Sequence, residues 1–335
     1  MARGVISKVL AGIAMFTVMV AVAPRHEVRA AEVIKIGTIF PKGSPWGKVF
    51  ETWSKAVTEK SGGNLELQLF YNQSQGDEAA IVAKIKSGQL DGGFVTGTGL
   101  GKVYKPILAL QMPGLFASWA KLDQARNAVK SEFEKGAKDA GFLIAGWGDV
   151  GVVRVLSKGF GIPAPTDFKG KKPFQWRDDS IQPVIFQVIG GIAPVPLNIP
   201  EVLPNLNTGA INALFAPALM AEQLQWTGKL DNVLNHGTSY AIGAIVFSSK
   251  RFDALPEDLR FILNDTAKVA ASALTTRIRS EDDAAFGRLK TKMTVITPTA
   301  EQQAAWTQSY SMVRQRLAQG TFAPELVARL EELAK

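Results

Sequence analysis

DFKGKKPFQW (residues 167–176) and PVPLNIPEVLPNLNTGAINALFAPALMAEQLQW (residues 194–226) flank a helical segment in the middle of the chain. Helical spacing separates three apolar runs, at residues 171–176, 193–197 and 211–215. Buried parallel strands that alternate with helices have this pattern, and their carboxyl ends line the crevice in which open α/β sheets bind ligands. The stretch therefore predicts an α/β fold with a ligand crevice beside these strands.

The first thirty residues have the pattern of a Sec-type signal peptide. Arg3 and Lys8 precede an apolar run at residues 9–23, and VRA at residues 28–30 supplies a small-residue cleavage site. The alternative is a membrane anchor, but the run is shorter than the roughly 20 residues that span a bilayer. We therefore predict that residues 1–30 are a cleaved signal peptide and that the mature protein is exported to the periplasm.

Composition limits the classes of function. The 335 residues are 46% hydrophobic and 20% charged, which is typical of a globular protein of about two domains. With no cysteine, the chain can carry neither a disulfide nor a lipid-modified N-terminal cysteine. Its net charge of +8 falls to +5 without residues 1–30, which hold four basic residues and one acidic residue. The remaining positive charge is spread thinly, so we expect no nucleic-acid partner.

The order of predicted elements indicates two lobes. Residues 33–95 show a βαβαβ pattern of parallel-sheet type, and a further strand is predicted at residues 142–147. Strand patterns near residues 148–157 and 238–248 then predict two crossovers, which make a clamshell. We place lobe I at residues 31–150 plus about 243–275, and lobe II at residues 151–242 plus about 276–335.

The longest periodic segment runs from Pro256 to about Met293. Pro256 suits the first position of a helix, and Glu257 and Asp258 suit the positive end of its dipole. At 1.5 Å per residue this helix would be about 55 Å long, more than one small domain measures. We therefore expect it to span both lobes. The alternative is two helices with a break near Ser280.

The sequence offers little for catalysis or for a metal site. His26 lies in the predicted signal peptide, which leaves His236 as the one imidazole for a catalytic triad or a zinc site. No Gly-x-Ser-x-Gly motif accompanies it, and His236-Gly237 is more typical of a turn. The glycines of residues 97–101 lack the ending of a phosphate loop, and Asp178-Asp179 is more typical of a helix cap than of an acid pair. We expect no enzyme, no cofactor and no metal.

Six motifs, taken in their order along the chain, resemble a known family. They are GSPW (43–46), SGGNLELQLFYNQSQGDE (61–78), SGQLDGG (87–93), DFKGKK (167–172), the segment 194–217 and FDALPEDLRFIL (252–263). The set resembles the solute-binding proteins of TRAP (tripartite ATP-independent periplasmic) transporters, the DctP-type family. The resemblance implies a two-lobed periplasmic-binding-protein clamshell, with crossover strands and a long helix spanning both lobes. It also implies a receptor, which we expect to be monomeric, that closes on a small-molecule ligand and delivers it to TRAP permease membrane subunits.

The chain departs from this family at the positions that grip the ligand. The family usually reads Lys-Ile-Arg-x-Pro, and that arginine pairs with the carboxylate of the substrate. Read without gaps from Lys169-Gly170, Phe174 stands in its place. The family's Asp-Gly-Gln-Glu-Asn-Pro becomes residues 212–217, in which Ala216 replaces the asparagine. A second basic contact of the family is unmatched in register, because Arg154 comes one or two positions late.

These losses predict a largely apolar or neutral ligand, since a buried carboxylate without its partners bears the full desolvation cost. The predicted contacts are Phe174, Trp176, Phe215, Ala216 and Trp226, with Trp46 from the other lobe and polar groups from Asp149, Gln175 or Gln225. For each single aromatic residue, packing in the core is the alternative.

Two other interpretations remain open. Either Arg154 or Arg177 could replace the missing arginine, which would restore an organic-acid ligand. The protein could also be a free-standing periplasmic carrier of a hydrophobic compound that passes it to a different envelope protein. Permease genes beside its own gene would favour the TRAP receptor.

Overall fold

Strands and helices alternate along residues 30–335, the part of the chain described by this computed structural model. The strands, β1 to β10, are Glu32–Thr38, Leu65–Phe70, Gly92–Thr96, Phe142–Ser157, Phe174–Trp176, Val195–Leu197, Ala213–Pro217, Asn232–Leu234, Ser239–Ser248 and Thr294–Ile296. The α-helices, α1 to α11, are Pro45–Lys60, Glu78–Ser87, Gly97–Val103, Trp119–Asp139, Gln182–Ile189, Ile199–Thr208, Ala218–Gln223, Ser249–Asp253, Glu257–Lys292, Ala300–Gly320 and Pro324–Leu333. Short 3₁₀ helices lie at Lys105–Gln111, Pro165–Phe168 and Thr227–Lys229.

The predicted signal peptide lies outside the described residues. Within residues 30–335, no helix combines the length and the apolarity that a membrane span needs. The same part of the chain contains no group of three or more acidic or imidazole side chains placed to hold a metal ion.

One eight-stranded sheet runs through the molecule in the order β10-β8-β4-β9-β3-β1-β2, and β7 also pairs with β4. Strand β1 is parallel to both β2 and β3, as the βαβαβ pattern predicts. The long strands β4 and β9 are antiparallel in the middle of the sheet. One end of this pair carries β3, and the other end carries β7 and β8. Strands β4 and β9 are therefore the two crossovers between the lobes.

Helix α9 is continuous over its 36 residues, so the alternative of a break near Ser280 is wrong. Acidic Glu257 and Asp258 begin it, and basic Lys290 and Lys292 lie in its last turn, which complements the helix dipole at both ends. The helix packs against α1 on one lobe, along β4, and against α7 on the other lobe. It therefore spans both lobes, as its predicted length requires.

The middle of the chain differs from the expected run of three parallel strands. Strands β5 and β6 are parallel, but they form a separate two-stranded sheet. Strand β7 instead joins the main sheet antiparallel to β4, and it touches the β5 side through a single bridge between Pro173 and Ala213. Five positions of β4 pair with β7 in this arrangement and supply partners along one edge of its backbone.

Strand β4 carries an irregularity between Asp149 and Gly151, where its pairing with β9 shifts by one residue. Gly151 adopts φ of 139°, and a Cβ atom there would lie 2.6 Å from Cγ of Asp282. The bulge therefore requires glycine, because an L side chain would be strained in this conformation and would collide with the carboxyl group.

Candidate ligand-binding site

A cavity of about 90 Å³ lies where β4, β5, β7 and β9 meet the residues that follow β3. We call it the central cavity. Most of its wall is apolar or aromatic, and the polar part comes from Thr96, Thr98, Gln111, Asp179, Gln182, Thr238, Ser239 and Tyr310. A concave apolar space with a few polar groups is the usual form of a small-molecule site.

Four of the residues predicted from the sequence line the central cavity together. They are Phe174, Trp176, Phe215 and Trp226. The rings of Phe174 and Trp226 meet edge to face, with centroids 6.1 Å apart. Phe215 stacks on Phe168, with centroids 5.3 Å apart. Each ring is thus both a wall of the cavity and part of the hydrophobic core.

Gln175, Ala216 and Gln225 are not among the residues that line the central cavity. Gln175 and Ala216 alternate with lining residues along β5 and β7, and successive side chains of a strand point to opposite faces. Gln225 is exposed in the turn after α7, with φ of 64°. This turn brings the next residue, Trp226, back into the protein.

Asp149 is fully buried, but arginines surround its carboxylate. Arg126 donates to Oδ1 at 2.8 Å, and Arg279 donates to Oδ2 at 2.7 Å. Arg279 also pairs with Asp123, whose pKa is lowered because its contacts with Arg279 and Arg126 outweigh the effect of burial. Asp149 is therefore part of an internal ion network and does not line the cavity.

Trp46 is also fully buried and lies away from the central cavity. Its ring stacks on Phe40 with centroids 4.0 Å apart, and it belongs to the apolar stripe of α1. The helix begins after Ser44, whose hydroxyl accepts a hydrogen bond from the N–H of Gly47. Helical spacing thus places Trp46 in the core of its own lobe.

Neither of the two candidate arginines reaches the central cavity. Arg177 is exposed and pairs with Glu201 at 3.3 Å. Arg154 lines a separate cavity of about 580 Å³, together with His236, Tyr240 and Tyr310, which we call the side cavity. Its guanidinium lies 3.8 Å from the ring centroid of Phe286. It also lies 3.5 Å from a carboxylate oxygen of Asp282.

Asp179 is the acidic residue at the central cavity. Its Oδ1 accepts hydrogen bonds from the N–H groups of Ile181 and Gln182 and caps the start of α5. Burial raises the pKa of this carboxyl group, although the two hydrogen bonds act in the opposite direction. The capping function predicted for Asp178-Asp179 therefore belongs to Asp179, while Asp178 pairs with Lys102 at 2.7 Å.

Asp77 joins two regions that the sequence assigns to different lobes. Its Oδ2 accepts hydrogen bonds from the indole N–H of Trp176 at 2.9 Å and from the backbone N–H of Ile199 at 3.0 Å. Its Oδ1 caps α2 through the N–H of Glu78. We call this set of contacts the Asp77 clasp. It ties a wall of the central cavity directly to the opposite lobe.

Glu78 supports the cavity residue Thr96 from behind. Its buried carboxyl group accepts hydrogen bonds from the N–H and hydroxyl of Thr96 and from the N–H of Gly99. Burial nevertheless raises its pKa to about 8. The group therefore stays protonated in the folded protein at pH values where it ionises in the unfolded chain.

This difference predicts a pH-dependent stability. The pKa of Glu78 is about 8 in the folded protein, against an ordinary value of 4.5 that applies to the unfolded chain. Its contribution to stability is therefore complete below pH 4.5 and is lost as the pH rises through 8. We expect the free energy of unfolding, measured in urea at pH 5, 7 and 9, to fall with pH. Glu78→Gln should flatten that fall, and an unchanged pH profile in this variant would contradict the assignment.

The sequence reasoning missed the polar part of the cavity. Gln111 ends a 3₁₀ helix in a proline-interrupted segment, and Tyr310 lies on α10, more than eighty residues beyond Trp226. Gln111 packs closely against Gly97, where a Cβ atom would lie 2.1 Å from its amide nitrogen. The glycine cluster at residues 97–101 is the local sequence signal for this close contact.

Comparison with known proteins identifies the family. The sequence profile of DctP, bacterial extracellular solute-binding protein family 7, matches residues 36–320. The chain belongs to this family. The resemblance inferred from the motifs is thereby confirmed, and so is the expectation that the chain is not an enzyme, since members of the DctP family are substrate-binding proteins of transporters.

Three relatives are 23–25% identical to this chain. A solute-binding protein of Verminephrobacter eiseniae is 23% identical over 80% of this chain and 80% of its own length. The 2,3-diketo-L-gulonate-binding periplasmic protein YiaO of Escherichia coli is 25% identical over 64% of this chain and 66% of its own length. A match to a solute-binding protein of Chromohalobacter salexigens, at 23% identity, spans 52% of each chain, about half of that relative.

Solved structures of this kind share the fold. The sugar acid binding protein DctPAm of Advenella mimigardefordensis, in complex with galactonate, superposes with a TM-score of 0.85 at 16% identity. The match covers 91% of this chain and 98% of that one. A TRAP periplasmic solute-binding protein of Sulfurospirillum deleyianum, with bound succinate, superposes with a TM-score of 0.84 at 18% identity. That match covers 91% of this chain and 99% of the other. The predicted two-lobed α/β fold is confirmed.

Proposed function

We propose that this chain is the receptor of a TRAP-type transporter and that it binds a small, largely apolar or neutral molecule in the central cavity. In the periplasm, it would pass that molecule to the membrane subunits of a TRAP permease. Membership of the DctP family supports the receptor function. One observation carries the choice of ligand: among residues 30–335, those that line the central cavity include no lysine, arginine or histidine.

A carboxylate in such a cavity would lack a partner of opposite charge. Burying an ion without a partner costs several kcal/mol. The ionisable acid at the wall is Asp179, which would repel an anion or remain protonated. Phe174 and Trp226 instead offer apolar surface. A neutral ligand therefore suits this wall better than the galactonate and succinate of the structural neighbours.

The size of the cavity also restricts the ligand. Its volume of about 90 Å³ is smaller than the roughly 300–1,000 Å³ that is usual for drug-sized ligands. Small compounds with few non-hydrogen atoms are therefore the appropriate probes.

An organic acid is the second candidate, because YiaO is named for 2,3-diketo-L-gulonate and the solved neighbours hold sugar acids or succinate. In this chain the cation for such a ligand would be Arg154. Its position at the side cavity, beside the buried carboxylate of Asp282, makes it a poor partner for an anion in the central cavity.

Matched pairs of neutral and anionic compounds test the proposal. Acetophenone with benzoate, and pinacolone with pivalate, have similar shapes but differ in charge. We expect the ketone of each pair to raise the unfolding temperature and to bind at least about tenfold tighter by calorimetry, equivalent to 1.4 kcal/mol. Tighter binding of a carboxylate, of succinate or of galactonate, or no binding of either ketone, would refute the neutral-ligand proposal.

Phe174→Arg provides the converse test, because it introduces a cation at the cavity wall. The variant should lose affinity for acetophenone and gain affinity for benzoate. Phe261→Arg is the matched control, since Phe261 is 71% exposed on α9 and should leave both affinities unchanged. A Phe174→Arg variant that is folded but retains the wild-type preference would show that Phe174 does not set the charge of the ligand.

A further inference from the structure

Tyr310 lies between the two cavities. It lines both the central and the side cavity, and its side chain is 2% exposed. Its ring is parallel to His236 at 6.4 Å between centroids and packs against Trp306 at 5.4 Å. Gly114 makes room for it, because a Cβ atom there would lie 2.6 Å from the tyrosine ring. Packing on several sides therefore fixes the ring.

The hydroxyl of Tyr310 is buried and has no hydrogen-bond partner among residues 30–335. Buried polar groups are nearly always paired, and one that is left unpaired destabilises the fold. Burial raises the pKa of this hydroxyl well above its usual value, so it stays neutral and keeps its proton. The hydroxyl is therefore an unused hydrogen-bond donor in a side chain that lines both cavities.

Two glutamines of the central cavity also present donors. The side-chain oxygen of Gln111 accepts from the N–H of Ile242 at 2.8 Å, and that of Gln182 accepts from the N–H of Trp176 at 2.8 Å. Because a backbone N–H can only donate, these bonds fix which end of each amide is the oxygen. The two NH₂ groups form no hydrogen bond with any residue of the described range.

The polar wall therefore presents uncharged donors. Among residues 30–335, no lysine, arginine or histidine lines the central cavity. Such a wall satisfies the lone pairs of a ligand oxygen, but it holds no cation to offset the charge of a carboxylate. We propose that the Tyr310 hydroxyl donates a hydrogen bond to an oxygen of the ligand and thereby selects carbonyl compounds over compounds of the same shape without an acceptor. This inference rests on the proposed function and narrows the class of ligand.

A pair of isosteres tests the inference. Acetophenone and α-methylstyrene have nearly the same shape, but only the ketone can accept a hydrogen bond. We expect calorimetry on the wild-type protein to show at least a fivefold preference for the ketone. Tyr310→Phe keeps the ring and should remove most of that preference by weakening ketone binding, while the affinity for α-methylstyrene stays within about twofold.

Tyr71→Phe is the matched control, because the Tyr71 hydroxyl is also buried without a partner in residues 30–335 but does not line the central cavity. It should keep the full preference. The inference is overturned if Tyr310→Phe also keeps the preference for the ketone, as expected if the hydroxyl donates to a water molecule instead. It is overturned as well if the wild type binds both compounds equally. In both cases the neutral-ligand proposal survives. If the wild type binds neither compound, the neutral-ligand proposal fails, and this inference fails with it.

Discussion

Asp149→Ala should lower the free energy of unfolding by about 3–5 kcal/mol, because removal of one partner from a buried ion network leaves the other charges uncompensated. The carboxylate is fully buried between Arg126 and Arg279, and each of them would lose one acceptor and keep only Asp123. Urea denaturation monitored by tryptophan fluorescence measures the change. In the folded variant, acetophenone affinity should remain within about twofold of wild type, since Asp149 does not line the central cavity.

Asp139→Ala is the control for this experiment. Asp139 pairs with Lys135 at 2.6 Å on the exposed surface of α4, where ion pairs contribute little. Its unfolding midpoint should match that of the wild type. A loss below about 1 kcal/mol in Asp149→Ala would show that the two arginines find other partners. A selective loss of ligand affinity would instead support the sequence prediction that Asp149 contacts the ligand.

Asp77→Ala should weaken acetophenone binding by about 10- to 100-fold. A hydrogen bond to a charged group contributes about 1.5–3 kcal/mol, and each 1.4 kcal/mol changes an equilibrium constant tenfold. The variant removes the acceptor of both the Trp176 indole and the Ile199 amide, so the Asp77 clasp can no longer hold the lobes together. Small-angle scattering with saturating acetophenone should show a larger radius of gyration than the wild type under the same conditions.

Trp176→Phe and Asp178→Asn refine the test of the clasp. Trp176→Phe retains an aromatic wall but removes one of the two donors, and its affinity should lie between those of wild type and Asp77→Ala. Asp178→Asn breaks the partly exposed pair with Lys102 and should change affinity by less than about twofold. Wild-type affinity in Asp77→Ala would show that the clasp does not contribute to the bound state.

The fold was largely predictable because its signals are local. The βαβαβ pattern of residues 33–95 and the continuous helix α9 follow from alternation, helical periodicity and end residues. The sequence divided residues 142–147 from 148–157, whereas β4 is one strand of 16 residues. Its pairing with β9 continues past two irregularities, and such long-range pairing leaves no mark in local alternation.

Sequence register alone brings two of the predicted ligand contacts to the candidate site. Phe174 and Phe215 occupy motif positions, and both line the central cavity. Trp46 follows a strand end as a contact residue would, but the apolar stripe of α1 draws it into the core. Gln111 and Tyr310 come from segments far apart in sequence, and only tertiary packing brings them to the same cavity. No local pattern could have joined them.

The bulge at Gly151 reverses the alternation of side chains between the two faces of strand β4. Val150 and Val153, an odd number of positions apart, both line the central cavity, while Val152 and Arg154 line the side cavity. In an unbroken strand, residues three apart face opposite sides. The number of residues before Arg154 therefore decides whether this cation faces the central cavity or the side cavity. The charge of the central cavity depends on that number as well as on the identity of the residues. Within this fold, a one-residue insertion or deletion could change cargo as decisively as a substitution.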